Sequence, residues 1–169
     1  GSGGKDIDVS YAIANTKGVK IAVLNYTYRT QSVNDKATLN NRILDDNTIR
    51  SVNTFCFESL DRDLNTIYES VEEVRNLGAD VVLLYYHWGC EYERFANVIQ
   101  KTAEMGVDAI IGSHPHVLQE MENIEVSVDG KFKRVPVFYS LGNYCWGGRF
   151  PRTQRETVHN GALAKLIIK

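Results

Sequence analysis

The sequence predicts a single α/β domain with a mostly parallel sheet, and three observations support that fold class. After residue 60, helical apolar patterns alternate with near-continuous apolar runs, which is the order of strand–helix–strand units with right-handed crossovers. An Asp-Gly pair between two apolar stretches near the C-terminus predicts an antiparallel hairpin at the sheet edge. The chain has 169 residues, 43% of them hydrophobic, which is enough for one globular core.

Composition also excludes several classes of protein. The net charge of -2 argues against a broad nucleic-acid surface. The longest apolar runs, such as 81–86, are too short to cross a bilayer. Cys56, Cys90 and Cys145 are odd in number and lack CxxC spacing, so neither a disulfide framework nor a zinc-thiolate site is indicated, and their redox state stays open. Residues 1–4 are interpreted as a tag or linker, and 5–169 as the domain.

The first half of the chain predicts a strand pair followed by an irregular excursion. The β-branched and aromatic stretch 19–28 is a predicted strand, with 9–15 as its antiparallel partner across Thr-Lys-Gly. Residues 29–59 are polar with little periodicity, and we expect a long excursion there with a short helix near 36–44.

The second half of the chain alternates between predicted helices and predicted strands. An apolar stripe at helical spacing begins at Leu64 and is closed by Gly78, and a second helix around 95–105 is closed by Gly106. Buried strands are predicted at 80–87 and 107–112. The hairpin joins 124–128 to 133–141, and 161–169 is predicted as a closing strand.

Histidines follow two of the predicted parallel strands. His87 ends one strand and His114 follows another, and ligand sites in open α/β sheets lie beyond the carboxyl ends of the strands. His116 is separated from His114 by Pro115, which favours extended geometry at His114 and places both rings on one side. His114 and His116 could then chelate one ion or face two neighbouring ions, with His87 close by; the alternative is that these histidines are hydrogen-bonded surface residues. Neutral imidazole suits zinc, manganese, iron or nickel.

Other polar residues flank these histidines. Glu91 either lies in the acidic first turn of a helix, or accepts a hydrogen bond from a ligand histidine, or is itself a weak metal ligand. Asn143 either orients a ligand or a substrate oxygen, or simply occupies a turn. Arg149 and Arg152 belong to a basic segment that either meets an anionic substrate or forms a solvated loop. A nucleotide-binding module is disfavoured because no Gly-rich phosphate loop follows the first strand.

Three motifs, "HWGCEY", "GVDAIIGSHPHVLQ" and "VPVFYSLGNY", resemble the bacterial capsule-synthesis family of the CapA type, linked to poly-γ-glutamate, over roughly residues 18–169. That family is similar to the calcineurin-like metallophosphoesterases, which have a two-sheet α/β sandwich and a two-metal centre. The resemblance implies that His87, His114 and His116 bind divalent metal ions, two in the full-length protein, of the Mn, Fe or Zn type.

The resemblance also implies a missing part. The Gly-Asp strand end and the Asn-Asn-His type motif of such proteins have no match here, so residues 5–169 are expected to be the C-terminal half of a longer domain. A missing N-terminal half, or a second chain, would complete the sheet, and the isolated fragment would be inactive. The full-length protein is expected at the cell surface or outside the cell, with a membrane anchor.

The function implied by the resemblance is a metal-dependent, phosphoesterase-like hydrolase that acts on an anionic capsule or cell-envelope polymer, or on a phosphoester. Glu91 and Asn143 would then be catalytic, and Arg149 and Arg152 would bind the substrate. The alternative is a non-catalytic polymer-binding or assembly subunit of a capsule synthesis and export complex.

Overall fold

A computed structural model describes residues 11–33, 36–39, 42–88, 95–144 and 160–168. In chain order its elements are β1 (Tyr11–Thr16), β2 (Val19–Tyr28), β3 (Thr30–Val33), β4 (Lys36–Leu39), β5 (Arg42–Ile43), α1 (Asp46–Ser51), β6 (Thr54–Phe55), a 3₁₀ turn (Phe57–Ser59), α2 (Leu60–Asn76), β7 (Val81–His87), α3 (Ala96–Glu104), β8 (Ala109–Ser113), β9 (Met121–Val128) and β10 (Lys131–Phe138). None of the helices in these ranges is long and apolar enough to cross a membrane.

The main sheet has the strand order β1-β2-β7-β8-β10-β9, with β6 paired to the end of β2. Strands β2, β7, β8 and β10 run parallel, whereas β1 and β9 are antiparallel additions at the two edges. The predicted α/β class is therefore confirmed, and the layering is consistent with a metallophosphoesterase-like α/β sandwich. A second, three-stranded sheet contains β3, β4 and β5.

Helices α2 and α3 cover one face of the main sheet. Their apolar stripes, which include Ile67, Val71 and Ile99, are fully buried against Leu84 and Ile110 of the sheet. Each such side chain contributes about 1.5–3 kcal/mol when it leaves water. Both helices stop where the sequence indicated, because a glycine with positive φ follows each one: Gly78 at 83° and Gly106 at 87°.

Both predicted hairpins are present. β1 and β2 pair across Lys17-Gly18, and β9 and β10 pair across Asp129-Gly130, whose φ values of 51° and 74° belong to the type I′ turn that matches strand twist. The second hairpin is longer than predicted, since β9 already begins at Met121.

Two predicted elements are wrong. The helix expected near 36–44 lies instead at Asp46–Ser51, where the Asp45 carboxylate accepts a hydrogen bond from the Thr48 backbone N–H at 2.8 Å and caps it. The closing strand 161–169 is reduced, in the part the structure describes, to one bridge between Gly142 and Gly161. Beyond that bridge the chain leaves the ladder and stays exposed.

The second face of the main sheet carries no helix among the described residues. Val23 is 38% exposed there, and Leu83 and Ile111 are only half-buried. The tail residues Leu166, Ile167 and Ile168 line a cleft on this face, together with Ile21, Leu83 and Pro136. A parallel sheet normally has both faces covered, so this face is a candidate for contact with further polypeptide.

Candidate metal centre

The carboxyl edge of the sheet aligns the ends of three parallel strands. In the strand register Thr27 of β2 lies opposite His87, and His87 lies opposite Ser113 of β8. The two strands stay hydrogen-bonded one residue beyond His87, because the Trp88 N–H donates to the Ser113 carbonyl at 3.1 Å. His114 therefore follows directly beside His87.

A tryptophan forms the floor beneath this edge. Trp88 is 1% exposed, and its indole Nε1–H donates to the Tyr139 carbonyl at 3.0 Å, which ties β7 to the end of β10. Its ring stacks on Tyr86, with centroids 5.3 Å apart. Gly112 is required here, since a Cβ at this position would overlap both the Trp88 ring and the Tyr139 carbonyl oxygen. Trp88 is thus a packing residue that supports this edge of the sheet.

The two imidazoles at the strand ends face each other through nitrogen atoms. His87 Nε2 and His114 Nδ1 are 3.0 Å apart, with the ring planes nearly perpendicular at 89°. The second nitrogen of His87, Nδ1, lies 3.2 Å from the Ser113 hydroxyl. The orientation of the two rings is thus set by their positions at the strand ends and, for His87, by a neighbouring hydroxyl.

The backbone at His114 departs from the sequence expectation. Extended geometry was predicted for the residue before Pro115, but φ at His114 is 106°. A non-glycine residue at positive φ costs about 1–3 kcal/mol and persists only where the surrounding structure offsets that cost, and such residues are enriched at functional sites. The prediction of an extended segment that directs His114 and His116 to one side is therefore wrong. The turn directs the His114 ring to His87 instead.

His116 has a different partner. Its Nδ1 lies 2.7 Å from Asn143 Oδ1, while Asn143 Nδ2 donates to the His116 carbonyl at 3.1 Å. Because a carbonyl only accepts, the amide nitrogen must face it, and the amide oxygen then accepts the Nδ1–H of His116. In the neutral ring the lone pair of His116 is then on Nε2. Asn143 therefore has the geometry of an orienting residue for His116.

A buried serine holds the loop that carries His116. Ser140 is 3% exposed, its hydroxyl donates to the Pro115 carbonyl at 2.9 Å, and it accepts the Gly142 N–H at 3.2 Å. The same loop is bridged by the tail, where Ala162 N–H donates to the Leu141 carbonyl at 2.9 Å. These bonds fix Asn143 relative to His116.

Burial lowers the pKa of both His87 and His114, and the neighbouring imidazoles lower it further: His114 and His116 act on His87, and His116 acts on His114. Both rings are therefore neutral near pH 7, as metal binding requires. Two nitrogens bound to one ion at about 2.0–2.1 Å lie roughly 3 Å apart when the bond angle is close to 90°. The donor atoms of the pair fit that distance.

The pair is not a complete metal site by itself. In the ranges the structure describes, no group of three or more His, Cys, Asp or Glu side chains is arranged to hold a metal ion. Glu91, Arg149 and Arg152 lie outside the described residues, as do Cys90 and Cys145. Further ligands would have to come from those segments or from other polypeptide.

The sequence interpretation assigned no role to three residues that shape this site: Gly112, Ser113 and Ser140. The sequence held a partial signal for Ser113, namely a polar residue at the end of each of two neighbouring strands, but not the register that pairs them. Two neighbouring strands that both end at a polar residue, one in His87 and the other in Ser113, place those side chains side by side.

Comparisons with known proteins support a family assignment. The sequence profile of the family described as bacterial capsule synthesis protein PGA_cap matches residues 1–147. The chain is 36% identical over 92 residues to the PGA biosynthesis protein CapA of Bacillus subtilis (strain 168), a match covering 52% of this chain and 22% of that protein. It is 35% identical over 85 residues to the capsule biosynthesis protein CapA of Bacillus anthracis, covering 47% and 19% respectively.

The matched region therefore spans about a fifth of the length of these curated relatives. Among solved structures, a hypothetical protein from Thermus thermophilus aligns over 79% of this chain and 38% of its own, with a TM-score of 0.43 and 14% identity.

Proposed function

The chain belongs to the bacterial capsule synthesis family PGA_cap, and on that premise we propose that it forms part of a metal-dependent hydrolase acting on an anionic capsule polymer of the poly-γ-glutamate type. Capsule synthesis associates the family with the cell envelope. The names of the two Bacillus relatives support the polymer class, since one is a PGA biosynthesis protein and the other a capsule biosynthesis protein.

One observation carries the metal part of the proposal: the 3.0 Å approach of His87 Nε2 to His114 Nδ1 at the carboxyl edge. A hydrogen bond between two solvent-accessible imidazoles contributes about 0.5–1.5 kcal/mol, which only offsets the strain of positive φ at His114. A shared divalent ion gives the strained turn a function. Neutral imidazole favours zinc, manganese or iron over calcium.

The site residues of this chain are proposed to have separate roles. His87 and His114 bind one ion, and His116, oriented by Asn143, presents Nε2 to a second ion or to the substrate. A bound divalent ion would supply a Lewis acid and an activated water for attack on a phosphoryl or acyl centre. Glu91 is proposed to orient a ligand histidine, and Arg149 and Arg152 to meet the negative charges of the polymer.

Other parts of the longer protein are proposed to complete this site. The half-buried residues Leu83 and Ile111 on the open sheet face offer a surface for that polypeptide, and the missing ligands would arrive with it. A membrane anchor in the full-length protein, with this domain outside the cytoplasm, belongs to the same proposal.

Metal titration of the chain tests the first step. Calorimetry with Zn²⁺ or Mn²⁺ should show binding that His114→Ala removes, because one of two facing donors is lost. Gln100→Ala is the control, since Gln100 lies on the exposed face of α3, where its side-chain amide donates to Glu104. Equal affinity in the wild type and in His114→Ala would contradict the metal role of the pair.

A polymer-binding or assembly subunit is the second candidate. The absence of a group of three or more possible ligands among the described residues favours it, because an incomplete ligand set could bind an anionic chain through a metal without turnover. The full-length protein separates the two functions. Metal-dependent release of product from a phosphodiester or from poly-γ-glutamate supports the hydrolase, and metal-dependent binding of the polymer without release supports the subunit.

A further inference from the structure

We infer that Ser113 is a positioning residue that fixes the tautomer of His87, so that the lone pair of Nε2 points at His114 and at the ion the two rings would share. This inference rests on the proposed metal role of the pair and adds a residue to it. Ser113 ends β8 and lies opposite His87 in the strand register.

The hydroxyl of Ser113 makes two contacts, and only one proton arrangement satisfies both. It lies 3.3 Å from the Tyr86 carbonyl, which can only accept, so the hydroxyl donates its single proton there. Its other contact is His87 Nδ1 at 3.2 Å, and the hydroxyl oxygen is then free only to accept. His87 must therefore carry its proton on Nδ1.

This proton arrangement decides what the facing nitrogens can do. With Nδ1 protonated, neutral His87 has its lone pair on Nε2, the atom 3.0 Å from His114 Nδ1. In the metal-free protein the His114 Nδ1–H donates to that lone pair. To hold an ion through Nδ1, neutral His114 would instead carry its proton on Nε2, a change of tautomer that releases no net proton. His87 needs no such change, because Ser113 has already set its tautomer.

The backbone explains why a serine can do this. Ser113 is held by β-ladder pairing on β8, and Trp88 N–H donates to its carbonyl at 3.1 Å, so its side chain has a fixed origin beside His87. Partners of ligand histidines that accept the distal N–H typically contribute 10- to 100-fold to metal affinity. A hydroxyl on a rigid strand is more directed than water in the same role.

The test compares Ser113→Ala with Ser113→Thr, which keeps the hydroxyl and suits a strand end. Long-range ¹H–¹⁵N spectra of the metal-free protein report the tautomer of each histidine, with His87→Ala identifying the His87 signals. We expect the Nδ1–H form in the wild type and in Ser113→Thr, and a shift toward Nε2–H in Ser113→Ala. Zn²⁺ affinity should fall about 10- to 100-fold in Ser113→Ala and return in Ser113→Thr.

Ser70→Ala is the matched control for general destabilisation. Ser70→Ala also removes hydroxyl bonds, including those with Tyr26 at 2.9 Å and with the Thr66 carbonyl at 3.0 Å, but on helix α2. It should leave the His87 tautomer and the Zn²⁺ affinity unchanged. If Ser113→Ala does not fold, a wild-type and Ser113→Thr preference for Nε2–H at His87 would still overturn the inference.

The failure of this inference differs from failure of the proposed function. An Nδ1–H tautomer and wild-type Zn²⁺ affinity in folded Ser113→Ala, with binding lost in His87→Ala, would overturn the role of Ser113 and leave the metal pair standing. If the wild type binds no metal ion, the proposed function fails, while the tautomer in the metal-free protein still decides whether Ser113 sets it.

Discussion

The two ends of the parallel strands handle polar groups in opposite ways. At the amino end, the Asp108 carboxylate accepts bonds from Arg75 at 2.7 Å, Lys133 at 2.8 Å and the Val82 backbone N–H at 2.7 Å. At the carboxyl end, His87 and His114 direct nitrogen atoms at each other, and the structure places no carboxylate between them within the residues it describes.

On the proposed function, the amino end contributes to stability and the carboxyl end to metal binding. The amino-end network is closed, because Arg75 and Lys133 also donate to the Gly106 carbonyl and join α2, α3 and β10 at one point. The carboxyl end has two imidazoles facing each other and positive φ at His114, and the proposed metal role rests on this arrangement. Substitutions at the two ends should therefore affect different measurements.

The largest effect is expected at Gly112, because its packing supports both the stability of the sheet and the position of the strand end that carries His114. Gly112→Ala adds a Cβ that collides with the Trp88 ring and the Tyr139 carbonyl, so Trp88 or the strand must move. Overpacking of this kind costs about 3 kcal/mol, and the displaced strand end should also weaken metal binding. Urea unfolding and Zn²⁺ calorimetry measure the two losses. A variant with unchanged unfolding would refute the close packing at Gly112.

Asp108→Ala should affect stability alone. It leaves Arg75, Lys133 and the Val82 N–H without their shared acceptor, at side-chain exposures of 29% and 26% for the two cations. The expected loss in the free energy of unfolding is about 2 kcal/mol, with unchanged Zn²⁺ affinity. Asp61→Ala is the control, because Asp61 is 92% exposed in its pair with Lys101 and should contribute less than about 1 kcal/mol. Weaker Zn²⁺ binding in Asp108→Ala would contradict the expectation that the amino end of the strands affects stability alone.

The backbone strain at His114 predicts the order of stability of two variants that both lose the imidazole. His114→Gly should be more stable than His114→Ala by about 1 kcal/mol, because only glycine adopts φ of 106° without strain. Neither variant should bind the metal as the wild type does. Thermal unfolding of the two proteins makes the comparison, and a more stable alanine variant would mean that the turn is not strained.

Acidification should give the smallest effect. The pKa values of His87 and His114 lie below the ordinary value of 6.5, so the unfolded chain binds more protons than the folded chain as the pH falls below about 6.5. The free energy of unfolding should therefore decrease in that range and stay constant with respect to these groups above it. His114→Gly should show a shallower decrease in urea midpoints between pH 7 and 5.5. Parallel profiles would indicate that His114 is not responsible.

Much of the fold could be predicted from local patterns. The stripe from Leu64 and the stops at Gly78 and Gly106 determine the two helices, and the Asp129-Gly130 pair determines a hairpin, because each signal lies within a few residues. The polar stretch 29–59 has no apolar period, so β4 and β5 were mistaken for a helix. The apolar tail was mistaken for a strand because the sequence does not show whether a free sheet edge is available.

The site was predictable to the level of strand ends only. His87 and His114 were placed at one edge from the order of elements, and the structure brings them together. The relative orientation of the two rings could not be predicted, because the conformational preference of a residue before proline gave the wrong φ at His114. The role of Ser113 depends on which residues pair between β7 and β8, which a single sequence does not state.

A crystal structure of the chain with Zn²⁺, with anomalous scattering to locate the ion, tests the central claim most directly. The account predicts an anomalous peak about 2.0–2.1 Å from both His87 Nε2 and His114 Nδ1, with the Ser113 hydroxyl still at hydrogen-bond distance from His87 Nδ1. Rings that remain paired through a hydrogen bond, with no peak between them at saturating Zn²⁺, would contradict it.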